Sequence, residues 1–363
     1  MAELRSTIVP ALDFAFMRVD ERGALLYVDP APDGGVEDTA EAPLPPEPNL
    51  EADVFTLHSK PGASKTLYLD FDGHTLIGTR WNASDYANRA ELVARPFDLD
   101  NNYASFNQSE LNRIAESWRR VAEDYADYDI DVITEEPPFT IGTGGRIEYG
   151  PDVGHNLVTN QVDENGNWVV YEGGSCGCGG IAWLNVFGNN YYQPSYTFNE
   201  GSGNNAMTIS HEVGHNMGLH HDGTSTTGYY GGHGSGETGW GSIMGVPFGD
   251  SMVTWSKGEY PDANNQEDNY QIINNHVPFR TDDHEDVNLA AATPLQVTGG
   301  VNVVSTTRVT DPAWTDLANK GVIEDPTDID LFSMSVSTGT IDLTIEPANG
   351  DTYEGSVGAN LDI

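Results

Sequence analysis

The stretch AMTISHEVGHNMGLHHDG, residues 206–223, holds four of the ten histidines in this chain of 363 residues. His211 and His215 are four residues apart, so on a helix they lie on one face and can bind the same ion. Gly218 can adopt the left-handed conformation that ends a helix and reverses the chain, which brings His221 back toward the other two. The stretch therefore predicts a helix that ends at a site with three histidines.

Glu212 follows the first histidine and lies about 100° round the helix from it. It is too far round to be a ligand beside both histidines, but it can reach a water molecule at the metal. Three neutral imidazoles leave the fourth position of a tetrahedral zinc site open, as in catalytic sites. Zinc makes water more acidic, and a neighbouring carboxylate can take its proton as it attacks a carbonyl. We therefore predict zinc bound by His211, His215 and His221, with Glu212 as the general base.

Other assignments within this stretch remain open. His220 is an alternative third ligand, although it is one residue short of the reach that Gly218 sets. Asp222 is either a ligand or a brace behind the site. A further alternative is that these are surface histidines on a glycine-rich loop. That alternative would not explain the joint spacing of three histidines, a glutamate and a glycine.

Acidic residues dominate the charge of the chain, with 56 Asp and Glu against 16 Lys and Arg, a net charge of −40. Such a surface repels phosphate backbones and anionic lipids, so we expect no nucleic-acid or membrane partner. Hydrophobic residues make up 38% and aromatic residues 10%, enough for a sizeable core. No run of about 18 apolar residues predicts a membrane span. The first residues also lack the pattern of a signal peptide, so either the protein is cytosolic or its true N-terminus lies upstream of residue 1.

The two cysteines, Cys176 and Cys178, flank Gly177. They are compatible with a disulfide or with two free thiols, and two sulfurs are too few for a zinc site made of cysteine alone.

The composition divides the chain into four parts. Residues 1–30 are interpreted as a propeptide remnant and 31–54 as a linker rich in Pro and acid. Residues 55–285 form the predicted catalytic domain. Residues 290–363, with short apolar runs between turns, predict a partial β-sandwich.

Hydrophobic spacing places the main elements. We expect a helix over 108–128, with apolar residues at three-four spacing, and a last helix over about 265–275. Strands are expected over 65–73, 128–134, 146–149, 155–160 and 179–187.

The motif HEVGHNMGLHH, residues 211–221, resembles the long zinc signature of the metzincin peptidases. The stretch SIMG, 242–245, supplies Met244 for their methionine turn. Asn216 and Asp222 make the reprolysin or adamalysin branch the most similar, and 68–74 and 255–275 resemble secreted bacterial members. Val246 stands where astacin- and serralysin-type turns carry a tyrosine, which disfavours those branches. No cysteine-switch pattern precedes the motif, so latency through a thiol is not predicted.

The resemblance covers roughly 55–280 and implies an α/β (α+β) zinc-peptidase fold. It implies a twisted mixed sheet over an active-site helix, followed by a partial C-terminal β-sandwich like a pre-peptidase domain. It further implies a secreted, monomeric zinc endopeptidase that acts on proteins or peptides. The strand containing Gly180, Ile181, Ala182 and Trp183 resembles the edge strand on which metzincins lay an extended substrate.

Two other functional classes remain open: a secreted binding module with a structural zinc, and a zinc hydrolase of non-peptide amides. The carboxylate of Glu212 favours an enzyme, because a binding module has no use for it. Calcium is a second candidate cation, at DLDNN, 98–102. His74 and His233 are interpreted as histidines with a structural hydrogen bond. The alternative is that they approach the cleft.

Overall fold

The computed structural model describes residues 12–31, 54–163, 165–198, 202–299, 301–303, 318–325 and 327–336, with residues 338, 340, 342 and 343. Its helices are α1 (Gln108–Asp124), α2 (Ser202–Asn216) and α3 (Asn269–Asn274). The strands up to α2 are β1 (Met17–Val19), β2 (Leu25–Pro30), β3 (Lys65–Asp70), β4 (Thr75–Ile77), β5 (Glu91–Val93), β6 (Ile130–Ile133), β7 (Thr140–Ile141), β8 (Ile147–Glu148), β9 (Val153–Val158), β10 (Cys178–Trp183) and β11 (Ser195–Thr197). Those after α2 are β12 (Trp240–Ser242), β13 (Met252–Thr254), β14 (Thr293–Pro294), β15 (Val297–Thr298), β16 (Val301–Asn302) and β17 (Phe332–Ser333).

The main sheet has seven strands in the order β1-β2-β10-β11-β9-β3-β6. The pairs β11–β9, β9–β3 and β3–β6 are parallel, and the remaining pairs are antiparallel. Helix α2 contacts β9, β10 and β11, and α1 contacts α2 and β6. The structure thus has the mixed sheet and the helix carrying the histidines that the sequence predicts.

Helix α1 forms where the three-four spacing predicts it. The side chain of Asn107 accepts the backbone N–H of Glu110, whose carboxylate in turn accepts the N–H of Asn107. This reciprocal cap satisfies backbone donors that have no partner within the helix. Trp118 is buried, and its Nε1 donates to the carbonyl of Val132 in β6 at 2.8 Å, which ties the helix to the sheet.

Helix α2 is fixed against the end of α1 by buried polar contacts. The hydroxyl of Ser210 donates to the carboxylate of Asp124 at 2.5 Å, and the hydroxyl of Tyr125 donates to the carbonyl of Ser210 at 3.1 Å. Trp255 donates from Nε1 to the carbonyl of Asp124 at 2.7 Å. The first two bonds involve Ser210, the residue before His211, and tie this part of α2 to the end of α1.

Two elements differ from the expectation. The sequence predicts a helix over 265–275, but α3 begins at Asn269, because Asn265 accepts the N–H of Glu267 and folds the preceding residues into a turn. Strand β6 alternates in sequence, yet all four residues are buried. Asp131 in β6 is satisfied there by the N–H of Lys60 at 2.9 Å and by His58 at 2.8 Å.

The C-terminal β-sandwich is not confirmed. The described residues of this region contain short strands, paired as β14 with β17 and β15 with β16. Residues 304–317 and 344–363 of the predicted sandwich lie outside the described residues.

Cys176 and Cys178 form a disulfide with Cα atoms 5.1 Å apart. Of the two states that the sequence left open, the structure therefore has the disulfide and not the free thiols. Among the described residues, no helix is long and apolar enough to cross a membrane.

Candidate metal centre

Three buried imidazoles converge at the C-terminal end of α2. The Nε2 atoms of His211 and His215 are 3.1 Å apart, as their four-residue spacing predicts. Gly218 has φ of 103°, a conformation that favours glycine, and there the chain turns back. His221 then places its Nε2 3.2 Å from that of His215.

Hydrogen bonds on the opposite ring atoms set the tautomers of two of these residues. Nδ1 of His211 contacts the carbonyl of Ile243 at 2.8 Å, and Nδ1 of His215 contacts the carbonyl of Leu219 at 2.7 Å. A carbonyl only accepts, so each Nδ1 carries the proton and each Nε2 presents a lone pair. Two lone pairs that face each other in a buried site can bind one cation between them.

The separations fit one tetrahedral ion. Zinc binds imidazole nitrogen at about 2.0–2.1 Å, so two such ligands of one tetrahedral ion lie about 3.3 Å apart. The observed 3.1 and 3.2 Å are close to that value. The donor set of imidazoles is also the one that zinc prefers.

The electrostatics favour neutral ligands at two positions. Burial and the neighbouring imidazole of His215 lower the pKa of His211 to about 3, and burial also lowers the pKa of His215. At His221 burial acts in the same direction, but the charge of Asp29 and a contact with Asp13 outweigh it and raise the pKa to about 9.

The two alternative ligands lie elsewhere. Nδ1 of His220 contacts the carboxylate of Glu267 at 2.7 Å. Asp222 accepts the hydroxyl of Ser242 at 2.5 Å, and its backbone N–H donates to the carbonyl of Met244 at 2.8 Å. Asp222 therefore holds the methionine turn rather than joining the cluster.

Met244 is fully buried beneath α2. A Cβ on Gly214, between the two helical histidines, would lie 2.7 Å from the sulfur of Met244. Glycine is thus required at 214 for this close approach. The residue before Met244, Ile243, supplies the carbonyl that orients His211, so the turn supports the site both by packing and by hydrogen bonding.

Glu212 is fully buried against β10, and neither oxygen has a hydrogen-bond partner among the described residues. A Cβ on Gly180 would lie 1.9 Å from Oε1 of Glu212, so only glycine leaves room for this carboxyl group. Burial, with the charge of Asp29, raises the pKa of Glu212 well above its ordinary value. The carboxyl group lines the same cleft as His211.

A cleft lies beside His211 and Glu212. Apolar side chains form much of its wall, namely Met207, Ile243, Val246, Pro247 and Phe248. Tyr229 also lines it, whereas Trp240 packs against Tyr230 and His233. Val246, which stands where astacin- and serralysin-type turns carry a tyrosine, therefore lines this cleft.

The predicted substrate strand is not at an edge of the sheet. Gly180, Ile181, Ala182 and Trp183 lie in β10, which pairs with β11 on one side and with β2 on the other. The run ALLYVDP, 24–30, is compatible with a strand, but the interpretation of residues 1–30 as a remnant sets that strand apart from the catalytic domain. Without β2, β10 would be the outer strand.

Two further residues near the three histidines, Asp29 and Asn265, were not indicated by the sequence. Asp29 in β2 belongs to the same cluster of metal-binding groups as the three histidines. Asn265 donates from its side-chain amide to the carbonyl of His221 at 3.2 Å. Neither has a fixed spacing from the histidine motif, so only the tertiary structure could reveal them.

Comparison with known proteins agrees with this geometry. Residues 100–222 match the model of metallo-peptidase family M12B, reprolysin-like, a range that includes α1, α2 and all three histidines. The chain carries a reprolysin-like metzincin domain. It is a zinc metallopeptidase, and its substrates are proteins or peptides. No curated protein is significantly similar to the chain.

The calcium candidate lies at the start of the matched range of this metzincin domain. Asp98, Asp100 and Glu110 come close enough to share an ion. Asp98 already accepts the N–H groups of Asn101 and Asn102, at 2.7 and 2.8 Å. Calcium at this loop stays a prediction.

The other two histidines singled out in the sequence lie away from the metal centre. His74 contacts Asp70 at 3.1 Å, and Asp70 also contacts His155. Nδ1 of His233 contacts the hydroxyl of Tyr230 at 2.6 Å. Each of these two histidines therefore contacts a neighbouring side chain.

Proposed function

We propose that the protein is a secreted zinc endopeptidase in which His211, His215 and His221 hold the metal and Glu212 is the general base. The observation that carries this proposal is the convergence of three Nε2 atoms beside a buried carboxyl group with no hydrogen-bond partner among the described residues. Zinc, when bound, supplies positive charge that polarises a peptide carbonyl and acidifies water.

The residues of the chain supply the remaining chemistry. Oε1 or Oε2 of Glu212 takes the proton of the attacking water and delivers it to the leaving amine. The apolar walls around Ile243 and Val246 favour an apolar substrate side chain next to the scissile bond.

The disulfide and the charge support secretion. Disulfides persist in oxidising compartments and are rare in the cytosol, and Cys176 and Cys178 form one. A net charge of −40 maintains solubility outside the cell. A binding module with a structural zinc is less well supported, because it would assign no role to the buried carboxyl group of Glu212.

Cleavage of casein in the presence and absence of a chelator tests the proposed activity. We expect internal cleavage that 1,10-phenanthroline stops and added Zn²⁺ restores, because the histidines hold the metal that the reaction needs. Cleavage that continues after the metal has been removed, or release of terminal amino acids alone, would contradict an endopeptidase of this type.

Gly180→Ala tests how Glu212 is positioned. The added methyl group overlaps the carboxyl group of Glu212, which is buried and must move. We expect turnover of a fluorogenic peptide to fall by at least about tenfold, toward the roughly 10²–10⁴ that a positioned acid–base group contributes, with zinc content unchanged. Gly174→Ala is the matched control, because nothing lies within 4 Å of a Cβ there. Unchanged turnover in Gly180→Ala would show that Glu212 need not occupy this position.

A further inference from the structure

A second cluster of metal-binding groups, made of Asp70, His74 and His155, lies on the face of the main sheet away from α2. Successive side chains of a strand point to opposite faces of its sheet. In β3, Leu69 packs in the core with residues of α1 and α2, so Tyr68 and Asp70 point to the other face. His155 in β9 pairs with Tyr68 and shares that face. The sheet therefore separates this cluster from the metal centre.

A tight turn after β3 brings His74 back to Asp70. Gly73 has φ of 88°, a conformation that favours glycine, and a Cβ there would lie 2.9 Å from the carbonyl oxygen of Ala94. The backbone of His74 is held by Ala94, whose N–H donates to the carbonyl of His74 at 2.8 Å. The stretch DFDGH, 70–74, thus folds so that its first and last side chains meet.

The distances within the cluster fit ligands of one ion. Oδ2 of Asp70 is 3.1 Å from Nδ1 of His74 and 3.1 Å from Nε2 of His155. The candidate ligand atoms of all three residues lie within 4.8 Å of one another. Ligands about 2.1 Å from an ion and at right angles to each other are about 3.0 Å apart, so the carboxylate is placed to share an ion with both imidazoles.

Two buried oxygen atoms at the cluster have no hydrogen-bond partner among the described residues. They are Oδ1 of Asp70, which is fully buried, and Oε1 of Gln193, which is 3% exposed. Gln193, His74 and His155 line one cleft, so the amide and both imidazoles border the same space. Unsatisfied buried oxygens are costly, and a cation is a partner that carboxylate and amide oxygens can share.

The charge around the cluster is also negative. Burial and the charge of Asp70 raise the pKa of Asp72 to about 6, because the two carboxyl groups lie side by side. Arg146 lines the same cleft, but its guanidinium pairs with Glu148 at 2.6 Å. A bound metal ion would offset the repulsion between Asp70 and Asp72.

We propose that Asp70, His74 and His155 bind a second divalent ion, of the first transition row, at a site separate from the metal centre. Two imidazoles and one carboxylate leave further positions open on a six-coordinate ion, for water or the amide of Gln193. Calcium and magnesium are disfavoured, because they take oxygen ligands. The ion joins the end of β3, the turn after it and β9, and so stabilises this part of the sheet. The site does not depend on the proposed peptidase activity.

Binding of Co²⁺ to the full chain tests this second site. The chain is first loaded with one equivalent of Zn²⁺, which fills the metal centre, and is then dialysed against Co²⁺ with excess Ca²⁺ to occupy sites made of oxygen alone. We expect one Co²⁺ per chain beside the zinc. In His74→Ala and in Asp70→Asn, Co²⁺ should bind at least about tenfold more weakly, because even a residue that only supports a ligand contributes about 10- to 100-fold.

His233→Ala is the matched control. His233 is exposed, and its ring contacts the hydroxyl of Tyr230, so this variant should bind Co²⁺ as the native chain does. Co²⁺ should also raise the melting temperature of the native chain and of His233→Ala, but not that of the two cluster variants. Zinc content shows whether each variant is folded. Asp70→Asn keeps the shape of the side chain and provides the comparison if His74→Ala does not fold.

The outcomes decide between a metal site and a simple hydrogen-bonded cluster. A native chain that binds no Co²⁺ beside its zinc, or binds it only by displacing the zinc, would overturn the site. A protonated His74 would then be the positive partner of Asp70. Native affinity for Co²⁺ in both cluster variants would overturn the assignment of these ligands. Failure to hold zinc or to cleave peptides, with Co²⁺ still bound through Asp70 and His74, would contradict the proposed function alone.

Discussion

Glu212→Gln is expected to lower peptide turnover by about 10²–10⁴, the range that a positioned acid–base group contributes. The amide has the same shape as the carboxylate but cannot take a proton from water. Glu212 lies one residue from His211 and outside the ligand set, so zinc content and melting temperature should stay near those of the native chain. The measurement compares turnover and zinc per chain in Glu212→Gln and in the native chain.

Glu91→Gln is the matched control for this substitution. Glu91 is exposed on β5, so the same change there should leave turnover and zinc content unaltered. If Glu212→Gln lost its zinc, Glu212 would be a ligand. If it cleaved peptides at the native rate, the general base would be another group, and the binding-module interpretation would gain support.

His221→Ala is expected to remove zinc and with it the activity. The variant keeps two nitrogen ligands on α2 but loses the third nitrogen, which converges from beyond Gly218. Loss of a residue that only supports a ligand costs about 10- to 100-fold in metal affinity, and loss of the ligand itself should cost at least that much. Zinc content after dialysis against a chelator measures the effect.

The neighbouring histidine is the control for His221. His220 is also buried, but its ring contacts Glu267 and not the cluster. His220→Ala should therefore keep its zinc even where it lowers stability. Full zinc content in His221→Ala, or loss of zinc in His220→Ala, would contradict the ligand assignment.

The metal centre could be predicted from the sequence because its central parts are local. His211, His215 and Gly218 are set by helical spacing and by one backbone conformation that favours glycine. Their contacts therefore follow from the order of residues within 206–223. Helix α1 was predictable for the same reason, since its apolar spacing and its cap are both local.

The parts that could not be predicted depend on distant contacts. Asp29 reaches His221 only because β2 pairs with β10, and no spacing rule joins segments so far apart in sequence. Asn265 forms a turn where the spacing predicts a helix, because its side chain bonds to the backbone of Glu267 and of His221. Strand β6 is buried on both faces because Lys60 and His58 satisfy its aspartate.

X-ray absorption at the zinc edge, on the native chain and on His221→Ala, tests the central claim most directly. The account predicts three imidazole nitrogens and one oxygen at about 2.0–2.1 Å in the native chain. In any zinc that His221→Ala retains, one imidazole should be missing. A sulfur neighbour at about 2.3 Å, or an unchanged set of imidazoles in the variant, would contradict it.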